Sequence, residues 1–147
     1  MLEHLGLRYD PKALDKIRHG LSHPSKCDHC GSAEISLQRN RVVYGKDYGQ
    51  WPVIWYCHDC SAMVGCHPGT DMPLGYMADR PTRQARARVH EAFDPLWKNG
   101  DRTRNEAYKE LASGLGMTAM DCHISRFDYA MCERAIAFLR ERFPWQF

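Results

Sequence analysis

The sequence predicts a small α+β protein: an antiparallel hairpin, closed at its base by four cysteines and packed on about three α-helices. Three observations predict it. Two cysteine pairs, Cys27-Asp28-His29-Cys30 and Cys57-His58-Asp59-Cys60, are separated by 26 residues. Between them Ile35 and Leu37 alternate, Val42-Val43 follow, a Gly- and Tyr-rich loop spans 44–50, and Val53–Tyr56 is apolar and β-prone. Beyond them lie three stretches with apolar residues at helical spacing.

The cysteine pairs carry the clearest chemistry. A two-residue gap lets both sulfurs of one turn reach a single ion, and a second such turn completes the tetrahedral thiolate shell that zinc prefers. The span between the pairs holds two strands and a loop, which is the layout of a zinc ribbon over residues 26–62. Cys27, Cys30, Cys57 and Cys60 are therefore the expected ligands of one Zn2+ ion. Four thiolates leave no open coordination position, so the metal is structural. It holds a hairpin too small to fold alone. An iron–sulfur cluster also uses four cysteines, but the hairpin pattern suits a ribbon better. His29 and His58 lie inside the two turns and read as exposed imidazoles. Cys66, Cys122 and Cys132 match no standard ligand spacing and read as small buried hydrophobes.

The remaining elements follow in order. Residues 11–19 predict a short helix, with Asp10 as cap, Pro11 at the first position and Gly20 as stop. Residues 1–25 form a helical lead and linker. The ribbon and its following loop occupy 26–72, and a helical region packed on the ribbon occupies 73–147. Val64–Ala78 is rich in Gly and Pro and predicts irregular chain. A helix starts at Pro81-Thr82-Arg83-Gln84, and Ala85, Val89, Ala92, Phe93 and Leu96 form its buried stripe. Pro95 ends or kinks it. Thr103-Arg104-Asn105-Glu106 is a capping-box pattern opening a helix that stops in Gly114–Gly116. A last helix runs from about Arg126 to Arg142, with Cys132, Ala135, Ile136 and Leu139 inward. One shared core is expected to join Trp55, Val64, Val89, Phe93, Leu111 and Ile136.

Composition bounds the function. The chain has 147 residues, with 20 Lys+Arg against 18 Asp+Glu, 44% hydrophobic and 26% charged residues. That usage excludes a polycationic tail and wholesale disorder. No apolar run reaches the roughly 18 residues of a membrane span, and no signal-peptide pattern is present. A cytoplasmic protein with no membrane partner is expected. Seven cysteines without a secretory signal argue against a disulfide framework.

The positive charge is local. Residues 73–104 carry seven basic and four acidic residues, whereas 26–72 carry four and five. Arg83, Arg86, Arg88, Lys98, Arg102 and Arg104 are the candidate nucleic-acid contacts, because such a stripe can track phosphates. The plainer reading is a solvated helix face. Five aromatic residues crowd the ribbon, Tyr44, Tyr48, Trp51, Trp55 and Tyr56. They either cover its small core or stack bases. The loop Gly65-Cys66-His67-Pro68-Gly69-Thr70-Asp71 gathers catalytic residue types, and His90 can join it, but no catalytic motif is matched. No catalytic residue is assigned.

The run Trp55-Tyr56-Cys57-His58-Asp59-Cys60-Ser61-Ala62-Met63-Val64-Gly65-Cys66-His67 resembles a known pattern, together with Pro73-Leu74-Gly75, Ala78-Asp79, Arg83, Arg86 and His90. Phe93-Asp94-Pro95-Leu96-Trp97, Ala107-Tyr108, Leu111-Ala112, Leu115-Gly116 and Cys122-His123-Ile124 extend it. The chain is similar, over about residues 26–135, to a zinc-finger-containing family of unknown function found in bacteriophages and bacterial prophages. The resemblance implies zinc at Cys27, Cys30, Cys57 and Cys60 and a phage or prophage setting. It implies no activity. Three functions are thus expected in order: an accessory protein binding nucleic acid through its arginine-rich helix; a module binding a host enzyme such as RNA polymerase or a nuclease; and a small hydrolase or nuclease using His67 and His90.

Overall fold

Alternation of Ile35 and Leu37 with polar residues builds β1 (Ile35–Arg39) in the computed structural model, which describes residues 1–18 and 20–147. β1 pairs antiparallel with β2 (Val53–Cys57), and β2 pairs antiparallel with β3 (Met63–Gly65). The register sets Leu37 opposite Trp55 and Trp55 opposite Val64. Side chains of directly paired residues share a face, so these three form one apolar surface.

The strand expected to continue through Val42-Val43 stops at Arg39. Arg41–Tyr44 forms a helical turn, α2, which ends at Gly45 with φ of 79°. The buried Asn40 explains the break. Its Nδ2 donates to the Tyr48 carbonyl at 2.8 Å, and its Oδ1 accepts from the Tyr48 amide at 2.9 Å. A side chain that satisfies the backbone this way competes with ladder pairing.

The chain divides into two compact units, Met1–Asp79 and Arg80–Phe147. In the first, the ribbon core gathers Leu37, Val53, Trp55 and Val64 with Leu2, Cys66 and Met77. The N-terminal lead belongs to this unit. Leu2 is fully buried, and Leu5, Leu7 and Tyr9 pack against the same core. Arg39 ties the lead down, its Nε and Nη2 donating to the Leu5 carbonyl at 2.9 and 2.6 Å. The helix expected over 11–19 is present as α1 (Pro11–Asp15), with Asp10 accepting from the Lys12 amide; residue 19 lies outside the described residues.

In the second unit three long helices follow the predicted stripes. These are α3 (Arg80–Phe93), α5 (Arg104–Leu115) and α6 (Tyr129–Arg142), and Pro95 opens a separate short turn, α4 (Pro95–Lys98). α6 packs against both α3 and α5. The Thr103–Glu106 capping box forms reciprocally at 3.1 and 3.0 Å. α6 begins later than expected. Ile124–Arg126 is a 3-10 turn, and Asp128 caps the helix through the Met131 amide at 2.8 Å. Gly114 is required by close approach, since a β-carbon there would collide with the Phe138 ring.

The residues expected in one core fall in two clusters of buried side chains. Trp55 and Val64 belong to the ribbon cluster, whereas Val89, Phe93, Leu111 and Ile136 belong to the helical cluster. Each unit closes an apolar centre of its own.

Candidate functional site

The two cysteine turns have nearly the same backbone. Gly31 N–H donates to the Cys27 carbonyl and Ser61 N–H to the Cys57 carbonyl, both at 2.9 Å. Cys27 N–H donates to Ser32 at 2.7 Å and Cys57 N–H to Ala62 at 2.9 Å. Both turns end in the left-handed region, with φ of 79° at Gly31 and 66° at Ser61. This folding of each turn aims its two sulfurs inward.

Cys27, Cys30, Cys57 and Cys60 then converge, with all four sulfurs within 4.8 Å of one another. Cys27 and Cys60 Sγ lie 3.7 Å apart, and Cys30 and Cys57 Sγ lie 3.6 Å apart. Zinc–sulfur bonds of about 2.3 Å in a tetrahedron place sulfurs about 3.8 Å apart. The donor set and its spacing therefore fit zinc, and the metal it holds is structural. Burial raises the Cys27 thiol, and backbone amides partly oppose that shift. The His29 and Cys30 amides point at Cys27 Sγ at 3.4 and 3.5 Å. At Cys57, burial opposes ionisation, but the Cys60 and Asp59 amides together with the Cys30 and Cys60 thiols outweigh it and the thiol is lowered to about 7.

Residues beside the ligands brace the turns. Asp28 Oδ2 accepts from the Met77 amide at 2.8 Å, and Asp59 accepts from the Ser32 hydroxyl. His29 Nε2 lies 3.6 Å from Asp79, and His58 Nε2 lies 2.7 Å from Ser36 Oγ. Neither imidazole belongs to the sulfur cluster, as expected. Cys66, Cys122 and Cys132 are buried, and burial pushes the Cys122 and Cys132 thiols up to about 11. Cys66 moves in the same direction for the same reason. Among the described residues they join no metal-binding group.

The loop after the ribbon is a strut. Trp51 Nε1 donates to the Thr70 carbonyl at 2.9 Å, and Trp55 Nε1 donates to the Asp71 carbonyl at 2.8 Å. Thr70 and Asp71 are buried. The Asp71 carboxylate accepts from the Tyr9 hydroxyl and lies 2.9 Å from His23 Nε2. Burial, and then Asp71, raise the Tyr9 phenol above its ordinary value. Sequence reasoning missed this cluster, because its members are 48 and 62 residues apart. The one local signal was the apolar spacing of Leu2, Leu5, Leu7 and Tyr9, which marks the lead as packed chain. His67 belongs to this unit, whereas His90 belongs to the other and lies 3.1 Å from Asp94 Oδ1.

The candidate nucleic-acid contacts fall into two sets. On α3, Arg86 Nε donates to the Phe127 carbonyl at 2.7 Å, and Arg88 stands 3.7 Å from Glu133. Arg83 also has an intramolecular partner. Lys98, Arg102 and Arg104 instead meet aromatic rings. Lys98 lies 5.4 Å from the Trp97 centroid, and Arg104 lies 5.6 Å from Trp97 and 4.7 Å from Tyr108. Arg102 and Arg142 stand 4.9 and 5.4 Å from the Phe143 ring and share Glu110, at 2.7 and 3.2 Å. Arg140 lies 5.0 Å from the ring of Phe147. Arg140 and Arg142 do not read as part of the basic run in the sequence, because they sit almost 40 residues beyond Arg104.

Among the described residues no helix is long and apolar enough to cross a membrane. Searches of curated proteins and of solved structures find no match. A family model described as a zinc-finger-containing domain matches residues 23–142. That span holds all four sulfurs of the metal centre and most of the helical unit, and the chain belongs to this zinc-finger-containing family.

Proposed function

We propose that the protein binds nucleic acid through the helical unit, with the zinc ribbon as a rigid companion module. The observation that carries this reading is the edge where Lys98, Arg102, Arg104, Arg140 and Arg142 stand over aromatic rings. A guanidinium stacked on a ring is held in place, and although Arg102 and Arg142 each turn one nitrogen toward Glu110, their remaining N–H groups can meet a phosphate. Charge agrees, since Arg80–Phe147 carries twelve cationic and nine acidic side chains and Met1–Asp79 carries eight and nine. Of the six candidate cations, Arg86 is engaged on the Phe127 carbonyl and Arg88 stands by Glu133, and Lys98, Arg102 and Arg104 carry the phosphate role.

A second reading is favoured by Trp145, which is 69% exposed at the same end of the chain. A large exposed ring is a protein-docking anchor, and a host enzyme is the partner that reading supplies. Salt separates the two. Fluorescence anisotropy of the zinc-loaded protein with labelled DNA and RNA, across a salt series, is expected to show affinity falling steeply with log salt. Arg104→Ala/Arg142→Ala is expected to lower the slope by about 1 to 2, since each phosphate contact contributes about 0.7–0.9. Absence of binding at low salt would overturn the nucleic-acid reading and leave the docking one.

A further inference from the structure

We propose that the tip of the ribbon hairpin is a second contact for nucleic acid, and that it takes unpaired bases, so that the ligand is single-stranded. This rests on the nucleic-acid reading above and adds the substrate class to it. The ribbon's aromatic residues divide sharply. Trp51 and Trp55 spend their N–H groups on the Thr70 and Asp71 carbonyls. Tyr44 and Tyr48 do not turn inward. They are 49% and 64% exposed, and their rings meet at 5.4 Å with a tilt of 47°.

The tip is both exposed and fixed. Every residue from Arg41 to Gln50 is exposed. Yet Asn40 brackets the Tyr48 backbone from both sides, and Asp47 is clamped by Arg39 at 2.7 Å and by Arg41 at 2.8 and 2.9 Å. Arg41 beside it holds the Asp47 carboxyl below the usual range. The rings are thus presented on an ordered turn, which reduces the ordering cost of binding.

Charge selects the occupant. Residues 39–48 carry three cations and one carboxylate, whereas the rest of Met1–Asp79 carries five cations and eight carboxylates. The hairpin tip is thus a locally positive stretch in a unit whose net charge is slightly negative. Flat rings with Lys46 between them in the sequence match a base with its adjoining phosphate, while Arg41 is engaged on Asp47. A duplex buries its base faces in stacking, so only an unpaired strand can offer them.

The test is anisotropy of the full zinc-loaded chain with labelled oligothymidine and with the same strand annealed to oligoadenosine. Tyr44→Ala/Tyr48→Ala is expected to weaken single-strand binding about tenfold or more. Duplex affinity and the salt slope are expected to stay unchanged, and Tyr44→Phe/Tyr48→Phe to restore binding. Unchanged zinc content and circular dichroism establish that the variant folds. Single-strand binding equal to wild type would overturn the assignment while the helical-unit reading stands, as would an equal loss on strand and duplex. No binding of either probe by the wild-type chain would overturn both.

Discussion

The two units reach stability by different routes. The helical unit closes Phe93, Leu111, Leu139 and Phe143, all 1% exposed or less, between long helices. Its helices are opened by caps at Thr103 and Asp128. The ribbon has a three-stranded sheet whose core includes two of the zinc ligands themselves, Cys27 and Cys57. Without the metal those buried thiols contribute little more than small apolar side chains do. The helical unit rests on side-chain packing between helices, whereas a short-stranded sheet needs a cross-link at its base.

The sharpest break of this comparison is metal removal. Chelation, or Cys57→Ser, is expected to abolish the ribbon's fold, because structural zinc sites contribute on the order of 10 kcal/mol. The near-ultraviolet signal of Trp51 and Trp55 should vanish while most far-ultraviolet helical signal persists. The reciprocal break is Phe93→Ala, which should cost the helical unit about 3–5 kcal/mol. Denaturant unfolding should record that loss with zinc content unchanged.

Asp71→Ala sharpens the account of the ribbon's own packing. It strips Tyr9 and His23 of their shared acceptor and should cost about 2 kcal/mol. Hydrogen exchange of the N-terminal lead should rise most. The smallest effect compares the two knuckles. Ser61 holds the left-handed conformation that Gly31 adopts freely. Ser61→Gly should stabilise by about 1 kcal/mol, and Gly31→Ala should destabilise by a similar amount. Thermal unfolding of the zinc-loaded protein reads both.

What the sequence made legible is what local pattern can carry. The cysteine spacing, the Thr103–Glu106 box and the Ala85–Val89–Ala92–Phe93 stripe each lie within a turn or a helix, and each forms as expected. What it concealed depends on distant partners. Arg41–Tyr44 is β-prone by residue type, yet Asn40 bonds to Tyr48 and turns the chain. Tyr9 and His23 read as lead and linker until Asp71 draws them in. The cations of residues 83–104 look like one run, but Arg86 and Arg88 of α3 turn to the Phe127 carbonyl and to Glu133, while Arg102 and Arg104 meet the rings of Phe143 and Tyr108.

The central claim is that one zinc ion in a four-thiolate shell holds the ribbon. X-ray absorption at the zinc edge of the purified full chain, paired with metal analysis, tests it most directly. One zinc per chain, with four sulfur neighbours at about 2.3 Å, is the predicted result. Nitrogen or oxygen neighbours in place of a sulfur, or iron in place of zinc, would contradict it.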